Sequence, residues 1–270
     1  MRFGYLMTAA MAGAVTAGSV QADGSASSLT LGVTPSYYQG DYGTGTTTKI
    51  YYVPVWANFE NGNLDLKLTV PYLSVEGPAG TLASEGMLIG NRIIGMAGSG
   101  RSTSGGGVSR NSGIGDVWAK ASYRFRGTGG VPDISPYFKI KFGTASYSEG
   151  LGTGKNDYEP GIGLEWTADH NLIPFVDFGY RFVGSPAGLD LSNAATYDGG
   201  IMYRVDQSNY VTGMFSGHQS IEPGFPGAAD LLVAWNYYTA PGTGFQVFFD
   251  KGLSNGSPDY GVGVGLQAGF

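Results

Sequence analysis

The chain has 270 residues, enough for one large domain or two ordinary ones, with 15 Lys+Arg against 21 Asp+Glu and a formal charge of −6. Charged residues make up 13% of it, about half the share usual in soluble domains, while glycine, at 47 residues, is more than twice as frequent as the norm of about 7%. The acidic balance excludes a basic nucleic-acid face, the absence of cysteine excludes thiolate metal sites, cysteine nucleophiles and disulfide scaffolds, and 18 Tyr, 14 Phe and 4 Trp are too many for a disordered chain.

The N-terminal segment reads as a secretory signal over residues 1–22. Arg2 supplies the positive start, Tyr5 to Val15 a short apolar core, and Val20-Gln21-Ala22 the small-residue cleavage site. Removing it leaves residues 23–270 as one domain with 14 basic and 21 acidic side chains. No later run reaches the ~18 apolar residues of a transmembrane helix.

From residue 28 onward apolar and polar residues alternate with a period of two, the pattern of strands with unlike faces. Twelve such segments follow in order, near 28–38, 49–59, 63–75, 114–125, 134–143, 157–168, 172–183, 195–205, 209–218, 230–239, 244–250 and 258–270. The third shows it best: Leu64, Leu66, Leu68, Val70 and Tyr72 share one face, and Asp65, Lys67 and Thr69 the other. The second strand, apolar on both sides, leaves its faces unassigned. Short connections such as Glu60-Asn61-Gly62-Asn63 and Asp206-Gln207-Ser208 alternate with longer ones at 39–48, 76–113, 144–156, 184–194, 219–229 and 251–257. Strands of about ten residues with sorted loop lengths predict an all-β fold: a closed antiparallel transmembrane β-barrel of about twelve strands. The last strand ends in register at Phe270, as outer-membrane barrels do when they present a C-terminal signal to the barrel-assembly machinery. The expected location is the bacterial outer membrane, with its lipid and lipopolysaccharide as surroundings.

In a membrane the apolar faces meet lipid and the polar faces meet the lumen. Twelve strands spaced ~4.8 Å and tilted ~40° enclose a backbone diameter of roughly 24 Å, too wide for an apolar core to fill. The expected lumen lining is Asp65, Lys67, Asp116, Lys120, Arg124, Lys139, Lys141, Glu159, Glu165, Asp177, Arg181, Asp198, Arg204 and Asp230, evenly split in sign. Asp116 is expected to pair with Lys139 or Lys141, and Arg181 to serve Asp177 and Glu165. Asp116, Lys120, Arg124, Lys139 and Lys141, in one phase on two adjacent strands, are the wall a small solute would meet. Outward Tyr72, Tyr123, Trp166, Tyr180, Tyr203, Trp235 and Tyr237 predict aromatic girdles.

Glu149 and Asn156 break the phosphate-loop pattern around Gly150-Leu151-Gly152-Thr153-Gly154-Lys155, so that segment reads as an outer loop. Residues 98–107 are a low-complexity loop tip. No metal-ligand spacing occurs and no cofactor is expected. Two rival readings stay open: a barrel enzyme acting on lipid through His218 with Ser216 or Asp230, and a structural barrel plugged by residues 77–112.

Gly113-Ile114-Gly115-Asp116-Val117, followed by Lys120, Tyr123, Arg124 and Phe125, resembles the Gly-x-Gly-Asp run of the bacterial outer-membrane transporter family named for the meta-pathway of phenol degradation. A lysine-bearing strand, Gly150-Leu151-Gly152-Thr153-Gly154 and Gly179-Tyr180 continue the order, so the resemblance spans roughly residues 110–185; Phe142-Gly143-Thr144 lacks the Pro of that strand end. It implies uptake of small aromatic or hydrophobic compounds by diffusion.

Overall fold

The computed structural model describes residues 27–42, 45–78, 81–84, 92–95, 108–167 and 171–270; the expected signal, the tip 98–107 and His170 lie outside the described residues. Twelve antiparallel strands close into a barrel. They are β1 (Ser27–Val33, continuing as Ser36–Gly40), β2 (Thr48–Asn61), β3 (Leu64–Pro78), β4 (Val108–Ile114, continuing as Val117–Tyr123), β5 (Asp133–Phe142), β6 (Asp157–Glu165), β7 (Leu172–Arg181), β8 (Ala194–Arg204), β9 (Asn209–His218), β10 (Ala229–Ala240), β11 (Thr243–Gly252) and β12 (Tyr260–Gly269). A separate hairpin pairs Thr81–Ser84 with Arg92–Gly95.

Each strand pairs with its sequence neighbour, and β1 pairs with both β2 and β12: Leu31 faces Ala57 on one side and Ala268 on the other. The seam is finished by Phe270, which exchanges backbone hydrogen bonds with Leu29 at 2.8 and 3.1 Å. Closure pairs the strands on both sides over their common span, where hydrocarbon would not solvate free N–H and C=O groups, while the Val108–Ile114 part of β4 pairs with β3 alone. At the short-turn end, Gly62 takes φ +62° in a two-residue hairpin, a conformation that costs glycine nothing. In the turn after β8 the Asp206 carboxylate accepts the N–H groups of Ser208 and Asn209, both at 2.8 Å, which holds its carboxyl below the usual range.

β4 carries a bulge. Thr69 faces Trp118 while Tyr72 faces Ile114, so three steps on β3 meet four on β4. The extra residue at Gly115-Asp116 swaps the faces of the strand: Asp116, Trp118 and Lys120 point inward below it and Gly113 points inward above it.

Burial is inverted with respect to a water-soluble protein. Leu66 is 40% exposed on the outside while Lys67 beside it is 8% exposed on the inside, and Lys120 is likewise 8% exposed. Second-strand faces, unassigned from sequence, resolve with Ile50, Tyr52, Pro54, Trp56 and Asn58 inward and Tyr51, Val55 and Phe59 outward. The lumen glycines are not empty space. Rings from neighbouring strands lie on them: Tyr137 on Gly161, Tyr38 on Gly261 and Phe248 on Gly263. Outside, aromatic pairs mark both rims, Tyr123 with Phe125 (5.0 Å) and Trp235 with Phe245 (5.4 Å) at the short-turn end, and Tyr37 with Tyr51 (4.9 Å) and Tyr180 with Phe182 (5.2 Å) at the long-loop end.

Candidate functional site

Strand register lays the lumen charges out as a belt. Lys67 on β3 faces Lys120 on β4, which faces Lys139 on β5, which faces Glu159 on β6. Farther round, Asp177 on β7 faces Asp198 on β8, Asp198 faces Ser216 on β9, and Ser216 faces Asp230 on β10. Bases therefore gather on the β3–β5 wall and acids on β7–β11. Like charges directly opposite on neighbouring strands are unfavourable, so each needs compensation.

The basic wall finds it partly in rings. The ammonium of Lys67 lies 4.8 Å from the centre of the Trp56 ring, that of Lys120 lies 4.0 Å from Tyr137, and that of Lys139 lies 5.4 Å from Trp118. Glu159 takes an ion pair from Lys139 at 2.6 Å and a hydrogen bond from Arg181 Nε at 2.6 Å. Lys67 and Lys120 have no carboxylate within ion-pair distance among the described residues. On the acidic wall Tyr137 donates to Asp177 at 2.7 Å and Ser216 donates to Asp198. Asp177, Asp198 and Lys139 are only half-buried, so lumen water reaches the belt along β5–β8.

Toward the long-loop end the lumen narrows. The β5–β6 connection folds inward rather than out: Leu151 and Thr153 are buried, and Leu151 packs with Tyr38, Tyr42, Ile50, Tyr52, Leu73, Val75 and Ala145, joining the walls of β1, β2 and β3. Polar contacts fasten its base. Asp116 accepts the N–H of Ala145 at 2.9 Å; fully buried Lys141 contacts Asp116 at 3.2 Å and Asp157 at 3.0 Å and donates to Thr153 Oγ1 at 3.0 Å. Glycines allow the close approach: a Cβ on Gly152 would lie 2.8 Å from Asp116 Oδ2, and one on Gly113 would lie 2.8 Å from Leu151.

All fourteen expected lining residues share the inward phase. Asp65 sits near the short turns, accepting Asn58 Nδ2 at 2.8 Å; Arg124 and Glu165 lie at the same end, and Arg204 donates to the Asp206 carbonyl at the mouth. One expected pairing forms and one differs. Of its two expected partners Asp116 takes Lys141, because the inward loop seals those two together, whereas Arg181 serves Glu159 instead of Asp177, whose partner is Tyr137. Residues 143–156 are the inward segment, where an outer loop was expected. Asp157, Asp250 and the rings of Trp56, Trp118 and Tyr137 were not singled out from sequence; Trp118 and Tyr137 alternate in phase with Lys120 and Lys139, whereas Trp56 lies on the strand whose faces the sequence left unassigned.

Ser216 does not engage a histidine: its proton goes to Asp198, and His218 Nδ1 lies 2.7 Å from the Gln219 carbonyl.

No family model and no curated protein matches the chain in sequence. Solved structures do match in fold. An outer-membrane channel from Pseudomonas putida F1 superposes with a TM-score of 0.67 at 12% identity, covering 93% of this chain and 97% of that one. The NanC porin gives a TM-score of 0.52 at 13% identity, covering 87% and 98%. The translocator domain of the autotransporter NalP from Neisseria meningitidis gives 0.54 at 8%, covering 91% and 88%. The fold is that of outer-membrane β-barrels.

Proposed function

We propose that this chain is an outer-membrane channel that lets small solutes diffuse through a polar lumen, with residues 1–22 removed as its export signal and residues 23–270 forming the barrel. The observation that carries this reading is the enclosed belt: charged side chains from strand after strand face a shared interior, while apolar ones of the same strands face out. Lipid and lipopolysaccharide surround the barrel, and the exposed Phe270 ring ends the strand that the assembly machinery would engage. The Gly113–Asp116 run and the Gly150–Gly154 loop, which meet in space, support membership of the meta-pathway transporter family and hence aromatic or hydrophobic solutes. Catalysis is not part of the reading, since the hydroxyl that His218 would have to activate is committed to Asp198.

Planar-bilayer recording tests it. Wild-type barrel is expected to carry ion current, and Lys67→Met with Lys120→Met to shift the reversal potential in a salt gradient toward cations. A folded protein that passes no current, or a variant with unchanged selectivity, overturns the proposal.

A further inference from the structure

At the long-loop end of the acidic wall two carboxylates stand apart from every other charge in the lumen. Asp230 and Asp250 are both 0% exposed, and with the Ser257 hydroxyl beside the first and the Lys251 backbone N–H beside the second, none of their four oxygens has a donor in full hydrogen-bond geometry. Asp230 faces Gly252 and Leu232 faces Asp250, so the two acids are diagonal neighbours on the inward face of β10 and β11. No lysine or arginine lies within ion-pair distance of either among the described residues. Two anions buried side by side without a counter-charge carry a desolvation cost of several kcal/mol each.

The surroundings supply further oxygens and, beside Asp250, the backbone N–H of Lys251. The phenol of Tyr42, 1% exposed and without a hydrogen-bond partner, belongs to the group of buried rings around Tyr38, and the carboxylates of Asp230, Asp250 and Asp259 act on it. The Ser257 hydroxyl is buried beside Asp230, where it also exchanges hydrogen bonds with the Ala229 backbone at 2.9 Å. The Pro258 carbonyl sits where a side chain on Gly252 would be, on the inward side and directly across the ladder from Asp230. The Tyr38 ring lies over Gly261, the residue that faces Asp250.

We infer that Asp230 and Asp250, with Tyr42, Ser257 and the Pro258 carbonyl around them, form a binding site for a hard divalent cation of calcium type. Two carboxylates match a double positive charge, and an all-oxygen donor set selects calcium or magnesium over the softer transition metals. Calcium fits better of the two. Magnesium demands near-ideal octahedral geometry and keeps several waters, whereas these donors come from two strands and two loops and the pocket is closed to solvent. A bound ion ties β10 and β11 to the segment after β1 (Tyr42) and to the β11–β12 loop (Ser257, Pro258), so it fastens the outer rim. The inference does not depend on the channel reading.

Terbium, a calcium mimic excited through neighbouring tyrosine, reports the site in full-length protein folded in detergent. Wild type is expected to show tyrosine-sensitised emission that saturates at one ion per chain and is displaced by calcium, together with a rise of several degrees in unfolding temperature when calcium is added. Asp230→Asn with Asp250→Asn removes the charges while preserving shape. It should still fold, unfold no lower than wild type in chelator, and lose both the emission and the calcium response. Asp190→Asn, on an exposed outer loop, should keep both. Absence of saturable emission in wild type, retention of it in the double variant, or equal loss in Asp190→Asn each overturns the site; the first would mean that the two carboxyls are held protonated.

Discussion

Lys141 shows what a single charge does inside this barrel. Its side chain is 0% exposed and lies between Asp116, at 3.2 Å, and Asp157, at 3.0 Å. A carboxylate buried without its partner is far more costly than an intact pair is favourable. Lys141→Met keeps the length of the side chain and removes the charge, leaving two anions facing each other. The expected loss is about 3–5 kcal/mol of barrel stability, read as a lower urea midpoint in refolding liposomes. Adding Asp116→Asn and Asp157→Asn should recover most of it, because the uncompensated charges go with the cation. A variant with wild-type stability would mean that water enters this end of the lumen and screens the ions. Lys67 and Lys120 differ in kind. They rest on aromatic faces with no carboxylate in ion-pair range among the described residues, so their loss should alter ion selectivity more than stability.

Among the elements, the β5–β6 connection is the one that folds into the long-loop end of the barrel among the described residues. Leu151 reaches the rings on β1 and β2, and Gly152 presses on the Asp116 carboxylate and on Ala145, where any side chain would intrude. Gly152→Val should therefore lift the loop off its seat and raise single-channel conductance while leaving the twelve strands in register; a conductance equal to wild type would show that the loop does not border the path. Strand positions were legible in the sequence because a half-buried strand repeats every two residues, and the inverted burial followed from strand number and loop sorting. The inward fold of residues 143–156 was not legible. Its anchors, Ala145, Leu151 and Thr153, follow no period, and the glycines that admit them look in sequence like those of a solvated loop. The bulge at Gly115-Asp116 was hidden for the same reason: one extra residue changes the phase of β4 without changing its composition. Asp157 lay in phase with Glu159, already assigned inward, and only its partner Lys141, brought to it from the neighbouring strand, distinguishes it.

For the whole molecule, one choice underlies the rest: which solvent the apolar surface meets. Leu68, on the outer face near the middle of the apolar band of β3, is 48% exposed, and its ladder partner on β4 is Ala119. In water such a surface would drive association, and a charge placed there would help solubility. In hydrocarbon the same charge must be solvated by lipid, at about 2–4 kcal/mol for an arginine near mid-depth, and less toward the rims. Leu68→Arg therefore separates the two environments by sign. Measured by reversible unfolding from liposomes, it should lower stability by that amount, and the corresponding change at Leu64, close to the short-turn rim, should cost clearly less. Equal costs at both depths, or a gain at either, would place the outer face in water. The depth dependence matters more than the size of either number, since loss of packing alone would not grade with distance from the membrane centre.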